Sequence, residues 1–510
     1  NLYRLVFSKK FGSLVAVAET TVSQGKSAGD TAGGAGTAAG HAQIGLGGHR
    51  LARMAFAVAA VFLGAGLLTS RSYAQSVLPT GGVVTTGRGS ISTSGNTMTI
   101  NQATNVLGAN WNSFSIGASN AVIFNQPSST SIAINRVIGN NQSQIFGNLQ
   151  ANGQVFLINP NGVLFGAGAQ VQVGSLMATT KNMSDAQITA GNYVFSGASN
   201  AAIVNQGTIT ATGANGSGGS GGSGGYVVLH ADSVSNDGVI TANGGTIRLA
   251  AGQNLGFTLD NGQLLNVQVS GDVLNALVQN KGLLVADGGS VFLTARGKNT
   301  LLSTVVNNGG QIQARSVSSV GGVIVLDGEG GDVVNGGSLD ASGAAGQKGG
   351  TVVLSGDRVG VMASGNINAS GDAGAGRVII GGDTLGKATD VMQVKIASQT
   401  VVQAGANIDI SSTSGNGGFV ETSGKRVSIN GNINGAAPKG KAGQWLIDPT
   451  DITIQSSAGE TTSTGSSPTL FQNTTGASSS TVDATAVANA LNTTDVLIST
   501  ASSGTSLGNI

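Results

Sequence analysis

The sequence lacks cysteine altogether, and only 9% of its 510 residues are charged. The absence of cysteine excludes a disulfide scaffold, thiolate metal sites and cysteine nucleophiles. Aromatic residues make up 4% of the chain and there are only three histidines, too few for a histidine-rich metal centre. A formal charge of +1 does not provide the basic surface that nucleic-acid binding requires. We therefore expect no catalytic, cofactor or metal site and no nucleic-acid partner.

The N-terminal part of the sequence predicts export. Basic residues precede an apolar run at positions 54–68, and Ser72 and Ala74 stand three residues and one residue before Gln75. A basic region, a short apolar region and a small-x-small site describe a secretory signal peptide. The alternative, a transmembrane helix, needs about 20 apolar residues. We expect cleavage between Ala74 and Gln75, which removes a mainly basic leader and leaves a mildly acidic chain.

The remaining sequence repeats one strand pattern, N-x-G-x-I-x-A followed by a turn and G-x-V/I-x-L. Within one unit, Ile209 and Ala211 alternate with Thr208 and Thr210. Alternation over four to six residues, bounded by Asn and Gly, predicts short strands joined by tight turns. We expect the glycines to supply the left-handed backbone angles of these turns. The unit recurs with its first residue at Asn205, Asn236, Asn280, Asn308 and Asn335.

Two architectures suit many short strands, antiparallel blades or sandwiches and a parallel solenoid. Propeller blades would need regular aromatic signatures, which this sequence lacks. Small inward-facing Ala, Val, Ile and Leu residues fit a narrow coil whose rungs stack about 4.8 Å apart. In such a coil the corner asparagines can form ladders, each side-chain amide bonding to the next rung. The predicted fold class is all-β, a right-handed parallel β-helix running from about residue 80 to residue 455.

One segment carries an ordered series of landmarks. W-x-x-F-x-I starts at Trp111, N-R-V begins with Asn135 and Arg136, S-Q-I-F-G starts at Ser143, and G-Q-V-F-L-I-N-P-N-G-V starts at Gly153. The tetrapeptide inside the last landmark consists of Asn159, Pro160, Asn161 and Gly162. Over roughly residues 80–250 this series resembles the secretion domain of filamentous-haemagglutinin-like exoproteins, above all the high-molecular-weight adhesin branch. The first part of the leader resembles the extended signal peptide of the same exoproteins.

The resemblance implies a two-partner secretion exoprotein of a Gram-negative bacterium. It implies recognition in the periplasm by an outer-membrane transporter with POTRA domains, export of the unfolded chain, and folding outside into an adhesive β-helical fibre. The receptor would be an unidentified host-cell or glycan ligand. The domains we expect are an extended signal peptide at 1–74, the secretion domain at 75–330, further β-helical repeats at 331–455, and a truncated Ser/Thr-rich segment at 456–510. The residues expected to carry secretion are Asn135, Arg136, Asn159, Pro160, Asn161 and Gly162.

Each of these motifs has a purely structural alternative. The tetrapeptide is also an ordinary tight turn, because N-P and N-G are both turn dipeptides. Arg136 is also explained as a residue that holds a loop. His230, which follows the leader, reads as a strand residue and not as part of a Ser/His/Asp device.

Two other functions compete with adhesion. A polysaccharide-active β-helix enzyme would align two or three carboxylates on one lateral face. The acidic residues are scattered and often stand beside glycine, where Asp is an ordinary turn former. A haem-acquisition or toxin-delivery exoprotein would carry its effector region beyond this sequence. The acids considered are Asp232, Asp237, Asp272, Asp287 and Asp327.

Overall fold

The computed structural model describes residues 3–8, 13–18, 77–213, 224–297, 304–317, 320–456 and 480–500. The chain divides into two compact units, Asn1–Thr69 and Ser70–Ile510. In the first unit the strands Tyr3–Ser8 and Ser13–Ala18 pair antiparallel. The predicted apolar region and cleavage site at 54–75 lie outside the described residues. Among the described helices, none has the length and hydropathy needed to span a membrane.

The second unit is a coil in which successive strands enter three long sheets in turn, here called sheets A, B and C. Sheet A contains Val83–Thr86, Val106–Trp111, Ile132–Val137, Gln154–Ile158, Ser175–Thr179, Tyr226–Ala231, Thr246–Ala251, Ser290–Ala295, Val323–Asp327, Thr351–Ser355, Arg377–Ile380, Phe419–Gly424, Gly443–Pro449 and Thr494–Ile498. Sheet B contains Gly89–Ser94, Thr97–Gln102, Ala121–Asn125, Asn148–Ala151, Gln170–Val173, Thr208–Ala211, Val239–Thr241, Leu283–Val285, Gln311–Gln313, Ser338–Asp340, Asn366–Asn368, Asn407–Asp409 and Asn432–Asn434. Sheet C contains Ser143–Ile145, Val163–Phe165, Ala202–Asn205, Ser233–Asn236, Leu277–Asn280, Thr304–Asn308, Asp332–Asn335, Arg358–Val361, Gln399–Val402, Val427–Ile429, Ser480–Asp483 and Ile452–Gln455. This arrangement confirms the predicted parallel β-helix.

The start of the coil departs from the predicted parallel pairing. Val83–Thr86 pairs antiparallel with Val106–Trp111, and Gly89–Ser94 pairs antiparallel with Thr97–Gln102. Both antiparallel strands lie at the ends of their sheets. A sheet end exposes unpaired backbone groups, and a strand folded back over it occupies those groups.

The core lies inside the coil and is built by the predicted alternation. Ile209 and Ala211 are buried, whereas Thr208 and Thr210 are only half-buried. The predicted asparagine ladder is also present at the corner between sheets C and B. Fully buried side-chain amides join Asn205 to Asn236, Asn236 to Asn280, Asn280 to Asn308 and Asn308 to Asn335, each with Nδ2 2.8 Å from the next Oδ1.

The left-handed angles predicted for the repeat glycines are present in the turns between sheets B and A, where Gly244 and Gly288 have φ angles of +66° and +71°, but not at the Asn-x-Gly corners. Gly238 and Gly282 do not have positive φ angles. A Cβ atom on Gly238 would instead lie 2.2 Å from the carbonyl oxygen of Gly207, and one on Gly282 would lie 2.0 Å from that of Gly238. These corners require glycine because the backbone of the neighbouring rung leaves no room for a side chain.

A second, smaller layer covers part of the outer face of sheet A. It consists of the helix α1 (Asp185–Ala190) and an antiparallel sheet of Tyr193–Ser196, Asn254–Asp260 and Gln263–Ser270. Its apolar residues pack on Phe156, which makes an edge-on contact with Phe257 at 6.0 Å between ring centroids. No apolar stripe in the sequence indicates this helix, because α1 has a single buried residue and is held by a capping box between Ser184 and Gln187.

The coil continues beyond the segment expected to carry the last repeats. Ser480–Asp483 pairs in parallel with Val427–Ile429, and Thr494–Ile498 pairs in parallel with Gly443–Pro449. The helix α2 (Ala484–Ala490) connects the two strands and starts at the N-cap Asp483. Residues 480–500 of the expected Ser/Thr-rich segment at 456–510 therefore contain two strands of the coil and a helix, whereas residues 457–479 and 501–510 lie outside the described residues.

Candidate functional site

The tetrapeptide forms the corner between strand Gln154–Ile158 of sheet A and strand Val163–Phe165 of sheet C. The Gly162 amide donates to the Asn159 carbonyl at 3.0 Å, and the Asn161 amide donates to Asn159 Oδ1 at 2.9 Å. Gly162 has a φ angle of +102°, which disfavours any residue with a side chain. Pro160 suits the position after Asn159 because its ring holds φ at the value that a turn needs there. The corner is therefore a β-turn with a second, side-chain-closed turn inside it.

The turn is hydrogen-bonded to the preceding rung. Asn159 is fully buried, and its Nδ2 donates to the Asn141 carbonyl and to Ser143 Oγ, both at 2.9 Å. Asn161 Nδ2 donates to the Gly139 carbonyl at 2.8 Å. Both asparagine side chains thus bind the rung below the turn.

The turn is also bonded to the chain that follows it. The Asn159 amide donates to the Thr179 carbonyl at 2.9 Å, and Ser199 Oγ donates to the Pro160 carbonyl at 2.6 Å. Residues 159–162 consequently connect three successive rungs of the coil. In an isolated turn, the same backbone and side-chain groups would form hydrogen bonds with water.

A buried ion pair lies beside this corner. Lys181 Nζ is 2.5 Å from Asp232 Oδ1 and donates to the Ser199 carbonyl at 2.6 Å. The Lys181 side chain is 1% exposed. His230 is buried in strand Tyr226–Ala231, as predicted, with Nδ1 3.2 Å from Thr179 Oγ1. Burial, with a smaller effect of the Lys181 charge, lowers the pKa of His230 to about 3, so its imidazole is neutral.

Asn135 and Arg136 lie on the strand next to the tetrapeptide strand, with Arg136 paired in register with Ile158. Asn135 is buried, and its Oδ1 accepts from Trp111 Nε1 at 3.0 Å. Its Nδ2 donates to the Phe156 carbonyl at 3.3 Å. Three landmarks of the sequence therefore meet inside the coil.

Arg136 instead reaches to the outer layer. Its Nη2 donates to the Met183 carbonyl at 2.8 Å and its Nη1 to Asp185 Oδ1 at 2.7 Å. Asp185 is in the first turn of α1. These contacts are those of a residue that holds a loop.

Sequence reasoning identified the turn but not the Lys181–Asp232 pair. The two residues are 51 positions apart and become neighbours only because the intervening chain makes one circuit of the coil. In the sequence Asp232 is one of several scattered acids. The sequence shows a lysine in an otherwise uncharged apolar stretch, but it does not indicate which acidic residue pairs with it.

The acids considered for catalysis are engaged in other contacts. Asp232, Asp237, Asp272 and Asp287 form ion pairs with Lys181, Lys281, Arg296 and Arg315 respectively. Within the described residues, no group of three or more acidic, His or Cys residues is placed to hold a metal ion.

One pair of carboxyl groups that the sequence analysis missed does come together. Thr384 Oγ1 is 2.7 Å from Glu421 Oε1 and 2.7 Å from Asp448 Oδ2. Both acidic residues are buried, at 0% and 1% exposure, and burial raises the pKa of Glu421. A polymeric substrate therefore has no access to this pair in the described conformation.

Two family models match the chain. Residues 75–276 match the TPS secretion domain, and residues 2–46 match the Extended Signal Peptide of Type V secretion system. The crystal structure of the HMW1 secretion domain from Haemophilus influenzae is similar, with a TM-score of 0.64 and 30% sequence identity, covering 74% of this chain and 96% of that chain.

Two curated relatives are heme/hemopexin-binding proteins of Haemophilus influenzae. One is 36% identical over 266 residues, which is 51% of this chain and 28% of the relative. The other is 35% identical over 250 residues, which is 46% of this chain and 26% of the relative. The chain thus spans just over a quarter of the length of these relatives.

The two matched regions also define the route of the protein. An extended signal peptide of type V secretion leads through the periplasm of a Gram-negative bacterium, and a TPS domain leads from there to the cell surface or beyond. A TPS domain implies an outer-membrane transporter as partner. With its β-helical fold and its likeness to the HMW1 secretion domain, the chain belongs to the two-partner secretion exoproteins.

Proposed function

We propose that residues 159–162, with Asn135 and Arg136, couple export of this chain to its folding. The observation that carries this proposal is the connection of three successive rungs by the single turn. Folding of a parallel solenoid propagates from a nucleated rung to its neighbours, so during export the step that first fixes neighbouring rungs limits the later ones. We take this turn to be that step.

The transporter would act on the same region before it folds. In this proposal, periplasmic POTRA domains bind the unfolded N-terminal segment, and the chain then passes through the barrel in extended form. Low charge and the absence of cysteine suit such a passage, because no disulfide closes a loop in the chain. Outside the cell, formation of the first rungs prevents return of the chain and drives further export.

The test compares export of Asn161→Ala and Gly162→Val with that of the unchanged chain, in cells that co-express the transporter. Asn161→Ala removes the bond to Gly139, and Gly162→Val places a branched side chain at a φ angle of +102° and 3.0 Å from the Ala202 carbonyl oxygen. Both variants should accumulate in the periplasm and be degraded, while less protein reaches the surface and the culture supernatant.

Asn432→Ala is the control. Asn432 is an exposed asparagine of sheet B whose side chain makes one hydrogen bond within the described residues, with Asn407 Oδ1 at 3.3 Å. It should be exported normally. Export of both tetrapeptide variants at the level of the unchanged chain would show that the corner is only a structural turn.

We further propose that the leader is removed between Ala74 and Gln75. The match to the TPS domain begins at residue 75, which supports this position. N-terminal sequencing of the exported protein should start at Gln75. A start upstream of Met54 would contradict the assignment of residues 54–74 as the signal region.

For the whole protein we propose adhesion by an extended β-helical fibre. Binding of haem or hemopexin is the second candidate, favoured by the names of the two curated relatives. Adherence of bacteria to cultured cells, and binding of haem and of hemopexin to the exported protein, distinguish the two. A polysaccharide-active enzyme is less well supported, because the acids are paired or buried; cleavage of plant or bacterial glycans by the purified protein would reverse this order.

A further inference from the structure

A row of outward-facing residues crosses sheet A from rung to rung, and one of them is charged whereas the others are apolar. In register, Val228 is followed by Arg248, Phe292, Val325 and Val353. The row is apolar on both sides of Arg248, because two insertions cover it and form small apolar clusters there. A cationic side chain is therefore unexpected in this row and indicates a specific role.

Arg248 borders the space between the two insertions. Strand Gln263–Ser270 forms one wall, and Val391 and Met392 from the segment after Arg377–Ile380 form the other. The floor is the outer face of sheet A, with Phe292 and Val325. The cleft has a volume of about 370 Å³, within the range of small-molecule sites.

The Arg248 guanidinium lies over the ring of Phe292, with Cζ 3.8 Å from the ring centroid. Its Nε is buried without a hydrogen-bond partner, and no described residue forms an ion pair with this side chain. Burial lowers the pKa of Arg248 to about 10, which still leaves it charged at neutral pH. The protein thus keeps a half-buried guanidinium that contacts the Phe292 ring but has no carboxylate counter-ion among the described residues, an arrangement that is unfavourable for stability.

The acids that line the cleft do not neutralise Arg248. Glu329 is bonded to Arg296 at 2.8 Å and lies 3.6 Å from Lys395. Asp327 is two strands and two residues away from Arg248 in the sheet, about 12 Å between Cα atoms from strand spacing and rise, and its Oδ1 accepts from the Glu329 amide at 3.0 Å. One end of the cleft is therefore cationic and its middle is apolar.

We propose that this cleft binds a small amphipathic carboxylate. The carboxylate pairs with the Arg248 guanidinium, and the apolar body lies on Phe292 and Val325 against Met392. Such a ligand supplies the counter-charge that the protein lacks and covers the exposed part of the apolar row. The site lies on a different face from the 159–162 corner, so this proposal is independent of the export mechanism.

The experiment is isothermal titration of the exported protein with octanoate and with 1-octanol, which has the same apolar chain without the charge. Octanoate should bind saturably at a single site with a dissociation constant of about 1 mM or lower. Octanol should bind at least about tenfold more weakly. Arg248→Met should weaken octanoate binding at least about tenfold and bring it to the level of octanol, while Arg248→Lys keeps part of it.

A stability readout accompanies the binding assay. Because Arg248→Met replaces a half-buried cation that has no ion-pair partner among the described residues with an apolar chain of similar length, it should raise the melting temperature. Arg88→Met, at an exposed arginine far along the coil, is the control and should change neither property. Met392→Trp narrows the cleft, leaves Arg248 unchanged and should also reduce octanoate binding. It tests the binding site if Arg248→Met does not fold.

Three results would overturn the proposal. These are the absence of saturable octanoate binding to the unchanged protein, equal binding of octanoate and octanol, and binding that survives both Arg248→Met and Met392→Trp.

Discussion

The asparagine ladder allows a quantitative test of what holds the rungs together. Asn280 is in the interior of the ladder: its Nδ2 donates to Asn308 Oδ1 and its Oδ1 accepts from Asn236 Nδ2, both at 2.8 Å. Asn280→Ala removes both ladder bonds, together with the weaker contacts of Nδ2 with the Gly282 and Gln311 carbonyls at 3.4 and 3.3 Å, and leaves Asn308 Oδ1 buried without a donor. Two lost bonds at about 1 kcal/mol each, and a buried unsatisfied acceptor at 1 kcal/mol or more, give a destabilisation of about 3 kcal/mol.

The end of the ladder provides the comparison. Asn335 accepts from Asn308 Nδ2 but passes no bond on, because Val361 occupies the next rung in register. Asn335→Ala therefore removes one ladder bond and the weaker contact of Asn335 Nδ2 with the Gly337 carbonyl at 3.3 Å, and Asn308 Nδ2 keeps its contact with the Gly310 carbonyl at 3.3 Å. We expect a destabilisation of about 1 kcal/mol. Asn432→Ala, at an exposed position of sheet B, should stay within about 0.5 kcal/mol of the unchanged protein.

The assay is urea unfolding of the exported variants, combined with hydrogen exchange measured by mass spectrometry. Exchange is needed because a solenoid can open locally without unfolding as a whole. Asn280→Ala should accelerate exchange in Leu277–Asn280 and Thr304–Asn308 more than Asn335→Ala does. Equal effects of the interior and end substitutions would refute the reasoning, because they would mean that ladder bonds contribute nothing beyond the local turn.

Three further predictions concern the core. His230 has a folded-state pKa of about 3 and an unfolded-state pKa of 6.5. Its contribution to the free energy of unfolding is therefore fully present above pH 6.5 and is lost as the pH falls towards 3. Between pH 7 and pH 4.5 this amounts to about 2.5 kcal/mol, and His230→Leu should show a correspondingly smaller fall in unfolding free energy over the same range. Asp232→Asn leaves the Lys181 charge buried without its partner and should lower the free energy of unfolding by about 3 to 5 kcal/mol. The double variant with Lys181→Met should be more stable than Asp232→Asn in thermal unfolding. A less stable double variant would contradict a pairwise ion-pair effect. Gly238→Ala should prevent normal stacking because its Cβ would lie 2.2 Å from a carbonyl oxygen, whereas Gly330→Ala meets no atom within 4 Å and should retain the circular dichroism and melting temperature of the unchanged chain.

Much of the fold could be predicted because its determinants are local. The alternation of Ile209 and Ala211 with threonines specifies a strand with one buried face, and the recurring Asn-x-Gly specifies a corner. Repetition of this unit leaves stacking as the way to bury every apolar face. The asparagine ladder follows from the same repetition, since equivalent residues of successive rungs become neighbours.

The glycine corners show where local reasoning reached its limit. The sequence correctly indicated that Gly238 and Gly282 occupy corners, but it indicated the wrong reason. A left-handed φ angle is a property of one residue, whereas a contact with the carbonyl of the adjacent rung is a property of two rungs. Only the stacked structure contains that contact.

The sequence by itself determined the export signal, the strand pattern, the ladder and the corner at residues 159–162, because each depends on neighbouring or regularly spaced residues. Tertiary structure alone decided the antiparallel start of the coil, the outer layer, the Lys181–Asp232 pair and the cleft at Arg248. These features bring together residues from different circuits of the coil or from insertions of irregular length. Their partners depend on how much chain each circuit contains, and no local pattern encodes that length.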